Sequence, residues 1–357
     1  MGRGYLSPCD RELRGMYQYS GINAKIKAMM GKRLTFKDYE ELINKRSVGE
    51  IASYLKFQTS YASALTGIQE SNIHRGELER HLYDQLFNEY IRLKKFVNGE
   101  TKKLLKAVSL RHEIRFLQNM IRLLNAGHID ETDALIHIPQ YFLEDSNLDF
   151  NRLVSSKNFV QFIENLQGTV YYDVLKPFIT NQEHLNLFHM ENSLDMFYYT
   201  YIWKLRRKAS GRDAAGLEEL YAAEADLTNI MNAYRFITFF HLPKENIYAY
   251  IIPFSGHLGK DQLRAIVEAT DQDKCIAAIN ETRYKNVFHF ESGLLDIDYK
   301  RQMYQINSKI IKQSRQSFAI LAAYLYVLEN EIKNIISIVE GIRYQLPSEE
   351  IRKYIVM

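Results

Sequence analysis

The 357-residue sequence has two cysteines, one tryptophan and no long apolar run. Cys9 and Cys275 are too few and too far apart in sequence for a disulfide framework, and they favour a reducing compartment. The longest unbroken apolar run, FAILAAYLYVL at 318–328, has eleven residues, whereas a bilayer-spanning helix needs about twenty. The N-terminus MGRGYLSPCDREL lacks the apolar segment of a signal peptide. We therefore expect a cytosolic protein, or one that sits on a membrane without crossing it.

The sequence also lacks the short motifs of common catalytic and cofactor sites. It contains no GxxxxGK[ST], GxGxxG, GxSxG or HExxH. Asp271 and Asp273, like Asp296 and Asp298, are two residues apart, so neither pair shares one helical face. The histidines are scattered, and the net charge of +3 is spread along the chain without the basic face of a nucleic-acid binder. We predict no catalytic residue, no cofactor, no metal and no nucleic-acid partner.

One short fragment occurs three times, as TSYASAL, TVYYDVL and TRYKNVF. Its threonines and tyrosines are Thr59 and Tyr61, Thr169 and Tyr171, and Thr282 and Tyr284. A threonine can cap a short helix, and a tyrosine shares one helical face with the apolar residue four positions later. We interpret the fragment as a structural corner whose tyrosine packs inward, in preference to a ligand site.

A second fragment recurs in the same order. Glu113, Asp226 and Glu331 are each followed by an apolar residue and by another apolar residue four positions on. Pro139 and Pro253 lie 26 and 27 residues after the first two acids. This order indicates an internal repeat. We predict an N-terminal helix at 1–30 that closes on the first module, and helical modules at 31–139, 140–253 and 254–357.

Apolar residues within the modules recur at helical spacing. The clearest stripe is Phe318, Leu321, Leu325, Leu328, Ile332, Ile335, Val339 and Ile342. Such stripes predict long helices packed side by side at shallow angles. We expect upstream partner helices over 72–97, 183–208 and 294–314, and turns at 98–99 and 210–211.

Shorter helices are expected before each hairpin, for example over 35–45 with Thr35 as N-cap and Asp38 in the first turn. VYYDVL alone could pass for a strand, but its two counterparts argue for a helix. The predicted fold class is therefore all-α, with three similar modules that each combine short helices with a long helical hairpin.

Several of these residues together resemble a known family. The segment YSGINAKIKAM at 19–29, followed by Arg33-Leu34-Thr-x3-Tyr39-x2-Leu42, resembles the opening of the C subunit of vacuolar/archaeal-type rotary ATPases, whose eukaryotic counterpart is known as the d subunit. The Thr-x-Tyr corner, the segment at 191–199 and the acid-x-x-Asn-Ile helices at 226–230 and 331–335 are also similar to that family. Two positions depart from its pattern: Phe116 stands in place of the asparagine of the later modules, and Lys25 in place of an arginine.

The resemblance implies a pseudo-threefold funnel of three helical modules. Such a central-stalk subunit receives the rotating shaft in its cavity and sits on the cytoplasmic face of the membrane proteolipid ring. It couples ATP hydrolysis or synthesis to proton or sodium transport and is itself non-catalytic. Its expected partners are the shaft subunits and the ring, within a peripheral membrane complex. Two alternatives are a cytosolic helical-repeat scaffold that binds another protein, and an α-helical enzyme with an unrecognised site.

Polar residues near the acid-x-x-Asn-Ile fragments lie off the apolar stripes. They are Arg115, Arg122, Asn229, Arg235 and Asn334. One interpretation is that they bridge neighbouring modules or meet solvent. The alternative hypothesis is that some of them face the shaft, because a polar lining suits a subunit that stays soluble before assembly and complementary charges guide docking.

Overall fold

A computed structural model describes residues 8–97, 99–127, 146–180, 187–209, 211–254, 256–313 and 317–357. The prediction of an all-α fold is confirmed, because these residues form helices and no strand. The chain divides into two compact units, which we describe separately. The first contains Met1–Leu105, Ser210–Leu220 and Glu291–Met357, and the second contains Lys106–Ala209 and Tyr221–Phe290.

The first unit is built mainly from helices of both chain ends. They are α1 (Pro8–Met30), α2 (Phe36–Ile43), α3 (Val48–Gln58), α4 (Arg75–Lys94), the start of α5 (Gly99–Ala126), the start of α11 (Gly211–Thr238), α15 (Leu295–Lys312), α16 (Ala319–Arg343) and α17 (Ser348–Lys353). Short 3-10 helices lie at Ser60–Ser63, Glu70–Asn72 and Phe290–Ser292. The helix α16 packs against α15, α4 and α1. The apolar run at 318–328 is therefore buried on several sides at the centre of this unit.

The second unit contains the rest of α5 and α11 and the helices between and after them. These are α6 (Phe150–Val154), α7 (Phe159–Glu164), α8 (Val170–Leu175), α9 (Pro177–Thr180), α10 (Leu187–Lys208), α12 (Lys244–Tyr250), α13 (Lys260–Val267) and α14 (Gln272–Asn280). The segment VYYDVL forms α8, as its counterparts indicate. The long helices α4, α10 and α15 fall within the predicted ranges 72–97, 183–208 and 294–314. Of the predicted boundary positions, Asn98, Pro139 and Ser210 lie outside the described residues.

Each series of short helices is fixed by capping residues. Thr35 caps α2 with Asp38 in the first turn, as predicted, and the two residues also form a capping box. The second short helix of each series is α3, α7 or α14. Its N-cap is Ser47, Asn158 or Asp271, respectively, and the side chain of this residue accepts the backbone N–H of the third helical residue. These three caps lie 13 or 14 residues before a corner tyrosine. Since such a cap satisfies a backbone donor that the helix cannot, all three short helices start at a defined residue.

Gly216 allows α11 to approach α16 closely within the first unit. A Cβ atom at this position would lie 2.8 Å from the Cβ of Ala319 and from the hydroxyl of Ser317. Asp213, in the first turn of α11, accepts the backbone N–H of Phe318 and the hydroxyl of Tyr19. The start of α11 is thereby joined to both α16 and α1.

Candidate functional site

The three corner tyrosines each donate their hydroxyl to an acid of the second recurring fragment. The pairs are Tyr61 with Glu331 (2.8 Å), Tyr171 with Glu113, and Tyr284 with Asp226 (2.8 Å). All six side chains are buried. Burial first, and the neighbouring carboxylate second, raise the pKa of each tyrosine, so each phenol stays protonated as a donor. We call each pair a tyrosine–acid joint.

The threonine of each corner anchors the preceding turn. Its hydroxyl donates to the backbone carbonyl of a fully buried residue at 2.6–2.7 Å, from Thr59 to Leu55, from Thr169 to Leu166 and from Thr282 to Ile279. In the first and third corners the same oxygen also accepts the tyrosine N–H, at 3.2 and 3.1 Å. In the second corner no side-chain cap bond forms. The threonine caps the 3-10 helix Ser60–Ser63 in the first corner, makes the same bond to the tyrosine N–H in the third, and anchors the turn in all three.

Asp226 shows how a joint holds a buried carboxylate. The side chain has no solvent exposure. Its two oxygens accept the backbone N–H groups of Gly256, His257 and Leu258 at 2.7–3.0 Å, in addition to the hydroxyl of Tyr284. Burying a carboxylate is unfavourable unless donors replace its water, and four donors do so here. The residue therefore fixes both the corner and the loop that leads into α13.

Glu331 performs the corresponding task in the first unit. It accepts the backbone N–H of Leu34 at 2.7 Å, the hydroxyl of Tyr61 and the guanidinium of Arg33 at 3.3 Å. Arg33 also donates to Glu89 at 3.1 Å, and all three charged side chains are at most 7% exposed. Burial raises the pKa of Glu331, although Arg33 opposes this shift. Because Leu34 precedes α2 as Leu258 precedes α13, both acids hold the loop before a first short helix.

The joints connect the predicted modules in a regular order. The acid of the first module pairs with the tyrosine of the second, the acid of the second with the tyrosine of the third, and the acid of the third with the tyrosine of the first. Two of the pairs are separated by the same 58 residues. This equal separation of tyrosine and acid is the one sequence signal for the pairing. The pairing is not among our predictions, because on sequence grounds the Thr-x-Tyr fragment and the acid fragment are independent repeats.

Asn229 and Asn334, two of the predicted shaft-facing residues, lie inside their units. Each is at most 2% exposed and makes two hydrogen bonds to one backbone residue, Asn229 to Ile252 and Asn334 to Val356. These bonds hold two similar segments, FHLPKENIYAYII at 240–252 and YQLPSEEIRKYIV at 344–356, against their own helices. Phe116 occupies the corresponding position in the first module, and its ring contacts Phe150 edge-on. In this conformation neither asparagine presents its side chain to a partner.

The three arginines are placed differently. Arg122 donates its Nε and one terminal nitrogen to the two oxygens of Glu191 at 2.6 and 3.0 Å, and 55% of its side chain is exposed. These hydrogen bonds raise the pKa of Arg122. Arg115, also on α5, and Arg235, on α11, are partly buried. The described contacts do not gather the five predicted residues into one site, and contact of any of them with a shaft stays a prediction.

Within the described ranges, no group of three or more His, Cys, Asp or Glu side chains could hold a metal ion. Several of the buried charged side chains, among them Asp226, Glu331 and Glu89, lie in the joints or beside them and have protein partners there. The chemistry of this arrangement is therefore structural: directional hydrogen bonds to buried carboxylates fix loops and corners in place.

Comparison with known proteins identifies the family of this chain. The family described as ATP synthase (C/AC39) subunit matches residues 22–354. Similar proteins include the C subunit of the A-type ATP synthase of Methanosarcina mazei, which is 22% identical over 98% of this chain and 95% of its own length, and that of Pyrococcus horikoshii, 23% identical over 94% and 90%. The corresponding protein of Methanosphaera stadtmanae is 21% identical over 97% and 90%. Since the match spans nearly the whole sequence, the chain belongs to the ATP synthase C/AC39 subunit family and is a non-catalytic subunit.

Proposed function

We propose that this subunit works in the central stalk of an A/V-type ATP synthase or ATPase, where it joins the rotating shaft to the membrane proteolipid ring. Membership of the C/AC39 family is the observation that carries the proposal. It favours this function over a scaffold for an unrelated protein and over an unrecognised enzyme. In this role the subunit binds shaft and ring on the cytoplasmic face of the membrane as a peripheral component.

The tyrosine–acid joints support a role in transmitting force. A subunit between a shaft and a ring must resist shear between its modules, and directional hydrogen bonds to buried carboxylates resist sliding more than apolar contacts do. We propose that the three modules, joined in this order, form the pseudo-threefold funnel that the family resemblance implies. Among the described residues, no helix has both the length and the apolar character needed to cross a bilayer. A peripheral position is compatible with that finding.

We further propose that Arg115, Arg122 and Arg235 provide the shaft-facing charge. Arg122 keeps more than half of its side chain exposed while paired with Glu191, so a partner carboxylate can still reach it. Asn229 and Asn334 contribute indirectly, because they hold the segments at 240–252 and 344–356. Exposed charges of this kind speed and orient association with an oppositely charged partner, and added salt weakens this attraction.

The test is co-purification from membranes with the shaft and proteolipid subunits. A tagged wild-type chain should recover both groups of subunits, and the Arg122→Glu/Arg235→Glu variant should recover less shaft at low salt, with a smaller difference at high salt. Arg264→Glu/Lys274→Glu, at two largely exposed positions, is the matched control. Failure of the wild-type chain to recover any ATPase subunit would contradict the function. Unaltered shaft recovery by a folded double variant would remove both arginines from the interface.

A further inference from the structure

The first unit contains a polar cleft beside the first corner. Its volume is about 500 Å³, within the 300–1,000 Å³ typical of small-molecule sites. The walls come from the end of α1 and the turn after it, from α2, from the corner at 58–63 and from α4. Four cationic side chains line it, against two carboxylates.

Three of the cations lie on the rim without a partner. Lys25, Lys32 and Arg92 are exposed and line the cleft. Within the described part of the chain, none of the three side chains makes an ion pair or a hydrogen bond. Like charges held around one concave surface raise the local potential and attract counter-ions. The rim therefore presents positive charge that the folded chain itself does not neutralise.

The two carboxylates of the cleft are already occupied. Asp38 accepts the backbone N–H and the hydroxyl of Thr35 and the hydroxyl of Tyr54. Glu89 lies in the floor and accepts from Arg33, and also from Gln85 and Tyr324. Each oxygen of these two groups already accepts a hydrogen bond from within the chain, and neither group forms an ion pair with a rim cation in the described part of the chain. The floor is fixed by hydrogen bonds within the chain, whereas the rim cations are not.

Two neutral donors complete the wall. Gln58 and Ser63 line the cleft, are exposed and make no side-chain hydrogen bond among the described residues. An amide and a hydroxyl next to lysine and arginine form a donor set suited to a phosphate group, which offers several acceptor oxygens and up to two negative charges. A carboxylate has only two acceptor oxygens and one charge, so it would leave part of this set unused.

We propose that this cleft binds a small anion with one or more phosphate groups. Lys25, Lys32 and Arg92 supply charge, and Gln58 and Ser63 supply hydrogen bonds. The third corner lacks this combination, since Gly256 and His257 stand before it where Lys32 and Arg33 stand before the first. The proposal does not depend on the role in the central stalk. Inorganic phosphate, pyrophosphate and a nucleotide share the required chemistry.

Titration calorimetry on the full purified chain tests the proposal, with inorganic phosphate, pyrophosphate and ATP as separate probes and hexaglutamate as a comparison. At least one phosphate probe should bind with one-to-one stoichiometry, more tightly than hexaglutamate and more weakly at high salt. The variant Lys25→Gln/Lys32→Gln/Arg92→Gln should lose at least tenfold in affinity. The control Lys27→Gln/Lys95→Gln/Arg283→Gln removes three exposed cations outside the cleft and should stay within twofold of wild type.

Several results would overturn the proposal. One is that no phosphate probe binds saturably, and another is that the two triple variants lose affinity equally. A third is that hexaglutamate binds more tightly than every phosphate probe, which would identify an acidic peptide as the occupant. Hydrogen exchange adds a measurement that does not depend on the variants. The tightest phosphate probe should slow exchange at residues 58–63 of the wild-type chain and leave the corresponding corner at 281–286 unchanged. Equal protection of both corners would also contradict a single cleft.

Discussion

The joint of Asp226 with Tyr284 allows the strength of one corner to be worked out from its contacts. The phenol donates to a charged acceptor at 2.8 Å, and such a hydrogen bond contributes about 1.5–3 kcal/mol. In Tyr284→Phe the carboxylate keeps its three backbone donors, so no charge is left without a partner. We expect the free energy of unfolding to fall by about 1.5 kcal/mol, at the lower end of that range.

Asp226→Asn should have a larger effect. An amide of the same shape retains one acceptor oxygen, so at least one of the three backbone N–H groups then faces an NH₂ group. A buried donor left unsatisfied costs about 1–3 kcal/mol, and the remaining bonds lose the strength that the charge gave them. We expect a loss of about 3–5 kcal/mol. Removing the Tyr284 hydroxyl in this background should cost less than in the wild type, because its acceptor is no longer charged.

A double-mutant cycle measures this coupling. Because the chain has two compact units, hydrogen exchange at the amides of His257 and Leu258 is a more local measurement than a global melting curve. Tyr344→Phe is the control, since that side chain is 71% exposed. If Tyr284→Phe changes stability no more than Tyr344→Phe, or if the two changes at the joint are additive, the hydrogen bond does not stabilise the corner.

Two further predictions concern a cap and a returning segment. Burial opposes ionisation of Asp38, but its hydrogen bonds, chiefly from Thr35, outweigh this and lower its pKa. The free energy of unfolding that wild type gains over Asp38→Asn should therefore be present above about pH 4 and shrink as the pH falls through the lowered pKa. Thermal melts of both proteins from about pH 3 to 7 measure this difference. A pH-independent difference would contradict this. Asn334→Ala should speed hydrogen exchange at the amide of Val356, which it leaves without its acceptor, whereas Asn246→Ala, at an exposed site, should not.

The elements that repeat in sequence could be predicted well. The apolar stripes identified the long helices, and Thr35 was correctly assigned as a cap, because both signals depend on neighbours along one helix. The pairing of tyrosines with acids depends on contacts across 58 or 270 residues, which helical periodicity does not encode. Only the equal separation of two pairs indicated it.

The limit of helical periodicity also explains why the burial of Asn229 and Asn334 could not be predicted from the sequence. We placed Asn229 and Asn334 away from the apolar stripe and considered an outward role for them. A stripe argument assumes that a helix has one covered face, but α16 is packed by α15 and α4, by α1 and by the segment that follows it. In such a helix a polar residue off the stripe is buried too, and it then needs an internal partner. Each asparagine finds one in the backbone of the returning segment.

The acid and the asparagine of the recurring fragment therefore each hold a different chain segment against the same helix. The acid fixes the beginning of a series of short helices, through loop N–H groups and a corner tyrosine, and the asparagine three residues later fixes the segment that leaves the hairpin. Both positions lie within one helical turn, so a single stretch of each second hairpin helix holds two chain segments. A neutral apolar residue at either position would leave buried backbone N–H groups without acceptors. This requirement explains why the fragment combines an acid and an asparagine at this spacing in α11 and α16. In the first module Phe116 stands at the asparagine position and makes an aromatic contact with Phe150.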